Sequence, residues 1–410
     1  MMAGRKFRRL TFCISISLLL VISGSSLGRD WVVTPGGTGD AATIQAAIDA
    51  AADDDRIILT AGTFVGVGNR DVNFMGKAVT VTSQSGPEAT IIDCEEMGRG
   101  FFFQNGEGAA SVLSGITVEN GLISGFGQRG CAVLCDGASP LISGNIFRSN
   151  SGAAGGAIAC DHSANPTISD NLITDNFAGD ITWAADDGGG IWIDNASAPV
   201  VMDNVISYNQ GQKGGGIYAT WTTSPQISGN LVSDNGAVNE GGGIWCAGMN
   251  AVIAGNVIYH NDANGAGGVF IDFGPVEIID NTICENSGMG TGGLFISDGN
   301  FVCTVSRTIV AHSSSGDGIL CSDVAIFSCC LVYGNAGTND LSFGVDGGNN
   351  LFAEPQFCGV VGSGILTLQS DSPCLPANNQ CNQLIGAVGQ GCSTTEAHRS
   401  TWGGLKNRYR

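Results

Sequence analysis

From residue 130 onward, short apolar runs alternate with clusters of Gly, Asn, Asp and Pro on a nearly fixed beat. GCAVLC (130–135) returns as GGAIAC (155–160), GGGIWI (188–193), GGGIYA (214–219), GGGIWC (241–246), AGGVFI (266–271), TGGLFI (291–296) and GDGILC (316–321). The fourth positions, Val133, Ile158, Ile191, Ile217, Ile244, Val269, Leu294 and Ile319, are spaced 25, 33, 26, 27, 25, 25 and 25 residues apart. A second pattern keeps phase with the first: PLISGNIFRSN (140–150), PTISDNLITDN (166–176), PVVMDNVISYN (199–209) and PQISGNLVSDN (225–235), then AVIAGNVIYHN (251–261) and VEIIDNTICEN (276–286). Each unit therefore carries three short apolar runs separated by turn formers.

A unit of about 25 residues with three strands is too short for a propeller blade and lacks the helical period of α-solenoids. It fits one coil of a parallel β-helix, in which every strand pairs with its counterpart one coil away and identical positions stack about 4.8 Å apart. Left-handed β-helices read as hexapeptides, so the expectation is an all-β, right-handed parallel β-helix with three strands per coil. Asn145, Asn171, Asn204, Asn230, Asn256 and Asn281 then form one column, and Asn150, Asn176, Asn209, Asn235, Asn261 and Asn286 another. Asn tolerates left-handed turn geometry, and stacked amides can bond coil to coil.

Bare ends of such a solenoid are sticky edges. TIQAAIDAA (43–51) places Ile44, Ala47 and Ile48 on one face, which predicts a short N-terminal capping helix. The resulting organisation is a signal peptide (1–28), a cap with first coils (29–112), repeated coils (113–345), a Cys-containing C-terminal cap (346–392) and a basic tail (393–410).

Alternation along the first strand decides which side chains face out. Ile191 and Ile193 point inward, so Trp192 points outward with Tyr218, Trp245, Phe270 and Phe295 on the following coils. Five aromatics on consecutive coils predict a solvent-facing strip about 20 Å long, with the preceding glycines keeping the neighbouring turn low and the strip open. Sugar rings stack on such faces; an aromatic ladder that stabilises the sheet, or that a loop covers, is the other reading.

The next outward column holds Asp136, Asp161 and Asp194. The longest spacing, between Ile158 and Ile191, adds AGDITWAADDGGG (178–190), which brings Asp180, Trp183, Asp186 and Asp187 toward Trp192. Carboxyls one coil apart, as in Asp161 and Asp194, would stand roughly 5 Å from each other, a retaining-hydrolase separation; Asp136 and Asp194 would be near the inverting limit of about 10 Å. The candidate catalytic residues are thus Asp161, Asp187 and Asp194, with Lys213 as a basic neighbour. The candidate sugar contacts are Trp183, Trp192, Tyr218, Trp245 and Phe270. Asp186, Asp187 and Asp194 would supply carboxylate oxygens to calcium, the one cofactor the pattern suggests. Strand-end Asp residues also simply accept turn N–H bonds.

Composition narrows the setting. Arg5, Lys6, Arg8 and Arg9 precede an apolar run from Leu10 to Ile22, and Ser26 to Gly28 offers small residues for cleavage, the pattern of a secretory signal. Without those four cations, and with no acid lost, the net charge goes from −20 to −24. Bulk attraction to nucleic acid or anionic lipid is excluded, and no later stretch has transmembrane length. The 64 glycines beside 43% hydrophobic residues suit a turn-rich but well-buried β protein. Fourteen cysteines follow Cys13, an even number in an oxidising compartment. Cys358, Cys374, Cys381 and Cys392 predict a disulfide-stapled end of unreadable connectivity, whereas in-register neighbours such as Cys135 and Cys160 stack too far apart to bridge.

These features resemble the pectin-lyase-like superfamily over about residues 40–390. IWIDN (191–195) is similar to the V-W-I-D-H stretch of pectate lyases, with Asn195 in place of the His. The resemblance implies a substrate-facing first strand and action on extracellular polysaccharide or cell-surface glycan, by lyase or hydrolase chemistry if the protein is catalytic. The lyase R-x-P-x-x-R and the polygalacturonase G-H-G are absent, the DD at 186–187 lacks an N-T-D partner, and Lys213 and Arg129 are the cations available as a lyase base. GGAI (155–158) and FRSN (147–150) also resemble the repeats of polymorphic outer-membrane proteins, although no alternating membrane strands follow residue 350. Two functions follow: a secreted or surface β-helix that binds or cleaves polysaccharide, and a non-catalytic adhesin or stalk.

Overall fold

The computed structural model describes residues 28–123, 125, 128–152, 155–179, 187–220, 223–297, 301–322, 325–360 and 362–393. The signal segment up to residue 27 and the tail from 394 lie outside them. Parallel strands stack coil on coil into ladders of 13, 11 and 10 strands, one for each apolar run of the repeat. Ile191 pairs with Ile158 on one side and Ile217 on the other, in register. A fourth ladder adds to the three expected: seven short strands, beginning with Leu122–Ile123 and Ser151–Gly152, formed by the turn that leads back to the first strand.

The core is the inside of the cylinder. Val133, Ile158, Ile191, Ile217, Ile244, Val269, Leu294 and Ile319 are all fully buried, each worth roughly 1.5–3 kcal/mol. Cys135 and Cys160 occupy the next inward column as reduced thiols, as their register requires. Burial drives the Cys160 thiol well above its ordinary range.

Both Asn columns form continuous ladders. Each Asn but the last of its column donates its backbone N–H and side-chain Nδ2 to Oδ1 of the Asn one coil on, as Asn204 does to Asn230 at 3.0 Å for both bonds. The left-handed conformation expected of these Asn residues belongs instead to the residue before them, such as Asp170, Asp203, Tyr208 and His260. The preceding residue makes the corner, which leaves the Asn free to turn its amide inward.

Helix α1 (Ile44–Ala50) closes the N-terminal end. The Thr43 hydroxyl accepts from the Ala46 N–H at 3.2 Å, and Ile44, Ala47 and Ile48 are buried against the first coil. The C-terminal segment packs along the side of the cylinder. Phe357, Leu366, Leu368, Cys374 and Ile385 fold back over Tyr259, Cys284, Ile309 and Leu331 on the outside of the eleven-stranded ladder. Disulfides Cys329–Cys381 and Cys358–Cys392 staple this segment. Cys374, expected among the stapling cysteines, stays reduced and buried, its thiol pushed up to about 12 by burial.

Candidate functional site

The glycines before the first strand shape the outer face. Gly188 has a φ of +72°, and a Cβ there would lie 2.9 Å from the Trp192 Cβ. A Cβ on Gly189 or Gly190 would meet backbone oxygens of the next coil at 2.5 and 2.6 Å. The first glycine thus permits a left-handed corner pressed against the indole, and the other two permit glycine turns to stack directly.

That corner overturns one expectation. The aromatic column does project from the cylinder, and Tyr218 stacks on Trp245 with ring centroids 4.6 Å apart, as Phe270 does on Phe295 at 4.7 Å. Most of the strip is nevertheless buried: Trp192 is 4% exposed, Trp245 2% and Phe270 7%, while Tyr218 and Phe295 are half-buried. The glycine corners pack against the Cβ atoms of Trp192 and Trp245 instead of standing clear of the strip. Cations cover what remains, with Arg129 over Trp192 at 4.0 Å from the ring centroid and the Lys213 ammonium over Trp245 at 5.0 Å. Arg99 covers Phe102, an upstream member of the same column, at 4.5 Å.

The acidic column remains accessible at its edge. Asp136 pairs with Asp161 across the ladder, and the Asp194 amide donates to the Cys160 carbonyl, so the three acids occupy successive coils. Asp161 is buried and heavily engaged: it ion-pairs with Arg129 and accepts from Asn195 Nδ2 at 2.5 Å and from the His162 N–H at 2.9 Å. The His162 ring, 64% exposed, places Nδ1 2.8 Å from Asp136 Oδ1 and 3.6 Å from Asp161 Oδ2. Asp194 accepts from the Thr220 hydroxyl and from the Asn195 N–H at 2.7 Å. His162 and Asn195 follow the strand-end acids in left-handed geometry, each with φ of 50°, which aims both side chains along the cylinder.

Asp187 joins this assembly from the other side of the strip. It hydrogen-bonds the Tyr218 phenol, and burial followed by that carboxylate's charge pushes the phenol above its usual range. Lys213 belongs to a different group of side chains: its ammonium lies 3.5 Å from Glu240 Oε2 and near Asp272. Burial raises the Asp272 carboxyl above its ordinary value, with Lys213 opposing that rise. Trp183 and Asp186 lie outside the described residues. Among the described residues, no three His, Cys, Asp or Glu side chains converge as metal ligands.

Sequence reading picked out Asp161, Asp187 and Asp194 but missed His162. The signal was available in the columns. IACDH (158–162) carries its His at the position of Asn195, so the D-H pair sought at 191–195 stands one coil earlier.

The stacked coils make the chain a right-handed parallel β-helix. Residues 179–306 match the family model described as "Right handed beta helix region", and residues 38–236 match "Periplasmic copper-binding protein (NosD)". No curated protein matches the chain. Among solved structures, it is similar to pectate lyase Pel9A, with 12% identity over 89% of this chain and 97% of that one at a TM-score of 0.46. It is also similar to the A-module of the Azotobacter vinelandii mannuronan C-5 epimerase AlgE4, with 14% identity over 75% and 90% at 0.45. The Dettilon tailspike protein gives 17% identity over 88% and 68% at 0.39.

Proposed function

We propose that this is an exported β-helix protein that binds extracellular polysaccharide on the outer edge of its ten-stranded ladder. The observation that carries the reading is the cross-coil network Asp136–His162–Asp161–Asn195, joined by Arg129 and flanked by Asp194. It sets carboxylate, imidazole and amide groups along one line, the mixture of donors and acceptors that sugar hydroxyls require. The match to a periplasmic family supports an exported location. No helix among the described residues is long and apolar enough to cross a membrane.

Cleavage is the finer reading. It would place acid–base work on Asp194 and Asp187, with Asp161 holding the network together and Lys213 too committed to Glu240 to serve as base. Calcium at Asp186, Asp187 and Asp194 belongs to the same reading. The other reading is a non-catalytic adhesin or stalk, favoured by the burial of Trp192, Trp245 and Phe270, which withdraws those rings from sugar stacking.

A glycan array with and without calcium, followed by an assay for newly formed chain ends, tests these readings. Binding that weakens in an Asp194→Ala plus Asn195→Ala variant supports the site. Binding without new chain ends selects the adhesin or stalk. If no glycan binds under either condition, the polysaccharide reading is lost.

A further inference from the structure

The short seven-stranded ladder carries a groove that the acidic site does not use. Its outward column runs Phe177, Gln210, Gly236 and Asp262 on four consecutive coils, in register. Behind that column the floor is made of small buried residues, Ala178, Gly211 and Ala237, the last two paired in register. The register shifts after Gly211, and the extra length lifts Val238 to 55% exposure as a side wall. The resulting groove holds about 440 Å³, within the range of small-molecule sites, and spans about 14 Å along the cylinder at the coil spacing.

Its chemistry differs from that of the covered strip. The Phe177 ring is 46% exposed at one end, whereas Trp192, Trp245 and Phe270 are all shut away. Gln210 and Gln212 offer amides, that of Gln212 held in place by a bond its Oε1 accepts from Asn239 Nδ2 at 3.2 Å. Gly236 leaves a gap between Gln210 and Asp262: a Cβ there would meet nothing closer than Gln210 Cγ at 3.9 Å. Asp262 is the one charged residue among the described residues of the lining, and the whole chain carries −20.

We propose that this groove is a subsite for a neutral glycan strand lying parallel to the cylinder axis. One sugar face stacks on Phe177, hydroxyls bond the Gln210 and Gln212 amides, and the strand drops into the Gly236 gap. Aromatic stacking with amide hydrogen bonding suits uncharged sugars. A polyuronate would meet Asp262 and the acidic chain with no cation among the described lining residues to receive it. The assignment rests on the polysaccharide reading above and adds a ligand class and a second contact surface to it.

Calorimetric titration with cellohexaose, laminarihexaose and mannohexaose, against hexagalacturonate, tests the assignment. At least one neutral hexamer is expected to bind in preference to the uronate. Phe177→Ala and Gly236→Leu should each weaken it about tenfold or more, equivalent to about 1.4 kcal/mol, with unchanged melting, and Phe177→Trp should restore binding. The leucine fills the groove at a position where the backbone has room for it. Retained affinity in both variants overturns the groove; if Asp161→Asn plus Asp194→Asn abolishes binding in the same titrations, the acidic-site reading survives alone. A preference for hexagalacturonate overturns the ligand class. Absence of binding to any of the four hexamers overturns the groove, and the array decides the broader reading separately.

Discussion

Arg129 lies over the indole of Trp192, 4.0 Å from the ring centroid, while its guanidinium ion-pairs with Asp161 one coil away. A single cation thereby covers the Trp192 end of the aromatic strip and anchors the acidic column. The strip and the acids, which look like two independent features in the sequence, are mechanically one.

Trp192→Ala should therefore behave as a core mutation. With the indole 4% exposed, its loss is expected to cost about 3–5 kcal/mol in denaturant unfolding. A loss below about 1 kcal/mol would mean the ring is open to solvent after all.

Asn204→Ala tests the ladders. Asn204 Nδ2 reaches the carbonyls of Ile168 and Met202 at 2.9 Å as well as Asn230, and its Oδ1 accepts two bonds from Asn171. Removing the amide strands buried carbonyls and N–H groups, at about 1–3 kcal/mol for each group left unpaired. Asn204→Asp keeps the acceptor and loses the donors, so it should also lower the unfolding midpoint.

Asp55 gives the N-terminal end a pH dependence. Its carboxylate accepts from Trp31 Nε1, the Ala52 N–H and the Arg29 N–H, and these bonds, the first most strongly, hold it below the ordinary carboxylate range. Because its folded pKa is depressed, its stabilisation is complete above the unfolded value of about 3.9. It is lost as pH falls through the folded pKa. Asp55→Asn should lower the melting temperature at pH 7, and the gap to the parent should shrink as both are acidified. A gap that widens in acid would contradict the sign.

Reduction of Cys329–Cys381, which closes a 52-residue separation, should remove up to about 4 kcal/mol in the chain-entropy account. Limited proteolysis after mild reduction is expected to cut first between residues 350 and 392. Cuts appearing first within the repeated coils would argue against a cap held by its staples.

Much of the cylinder was legible because its signal is repetition. The inward column from Val133 to Ile319, both Asn ladders and helix α1 follow from period and alternation alone. The fourth ladder was not legible: strands such as Ser151–Gly152 are two residues long, and no hydrophobic alternation fits in two residues. Within the site, the column positions of Asp161 and Asp194 were readable. The closure of the strip was not, because it depends on how far a left-handed Gly188 corner descends and where Arg129 reaches. His162 was overlooked because a short motif was matched along one coil instead of down a column. Phe177 was overlooked because its prominence comes from the smallness of its neighbours, Gly211 and Gly236, on other coils.

Ile158 and Ile191 are paired neighbours although 33 residues separate them, against the 25 that part most such pairs. Eight additional residues have entered one circuit without shifting a rung above or below. A scaffold that absorbs length sideways while conserving its axial register can gain, lose or exchange surface loops one circuit at a time, so its specificity can be rewritten without refolding the rest.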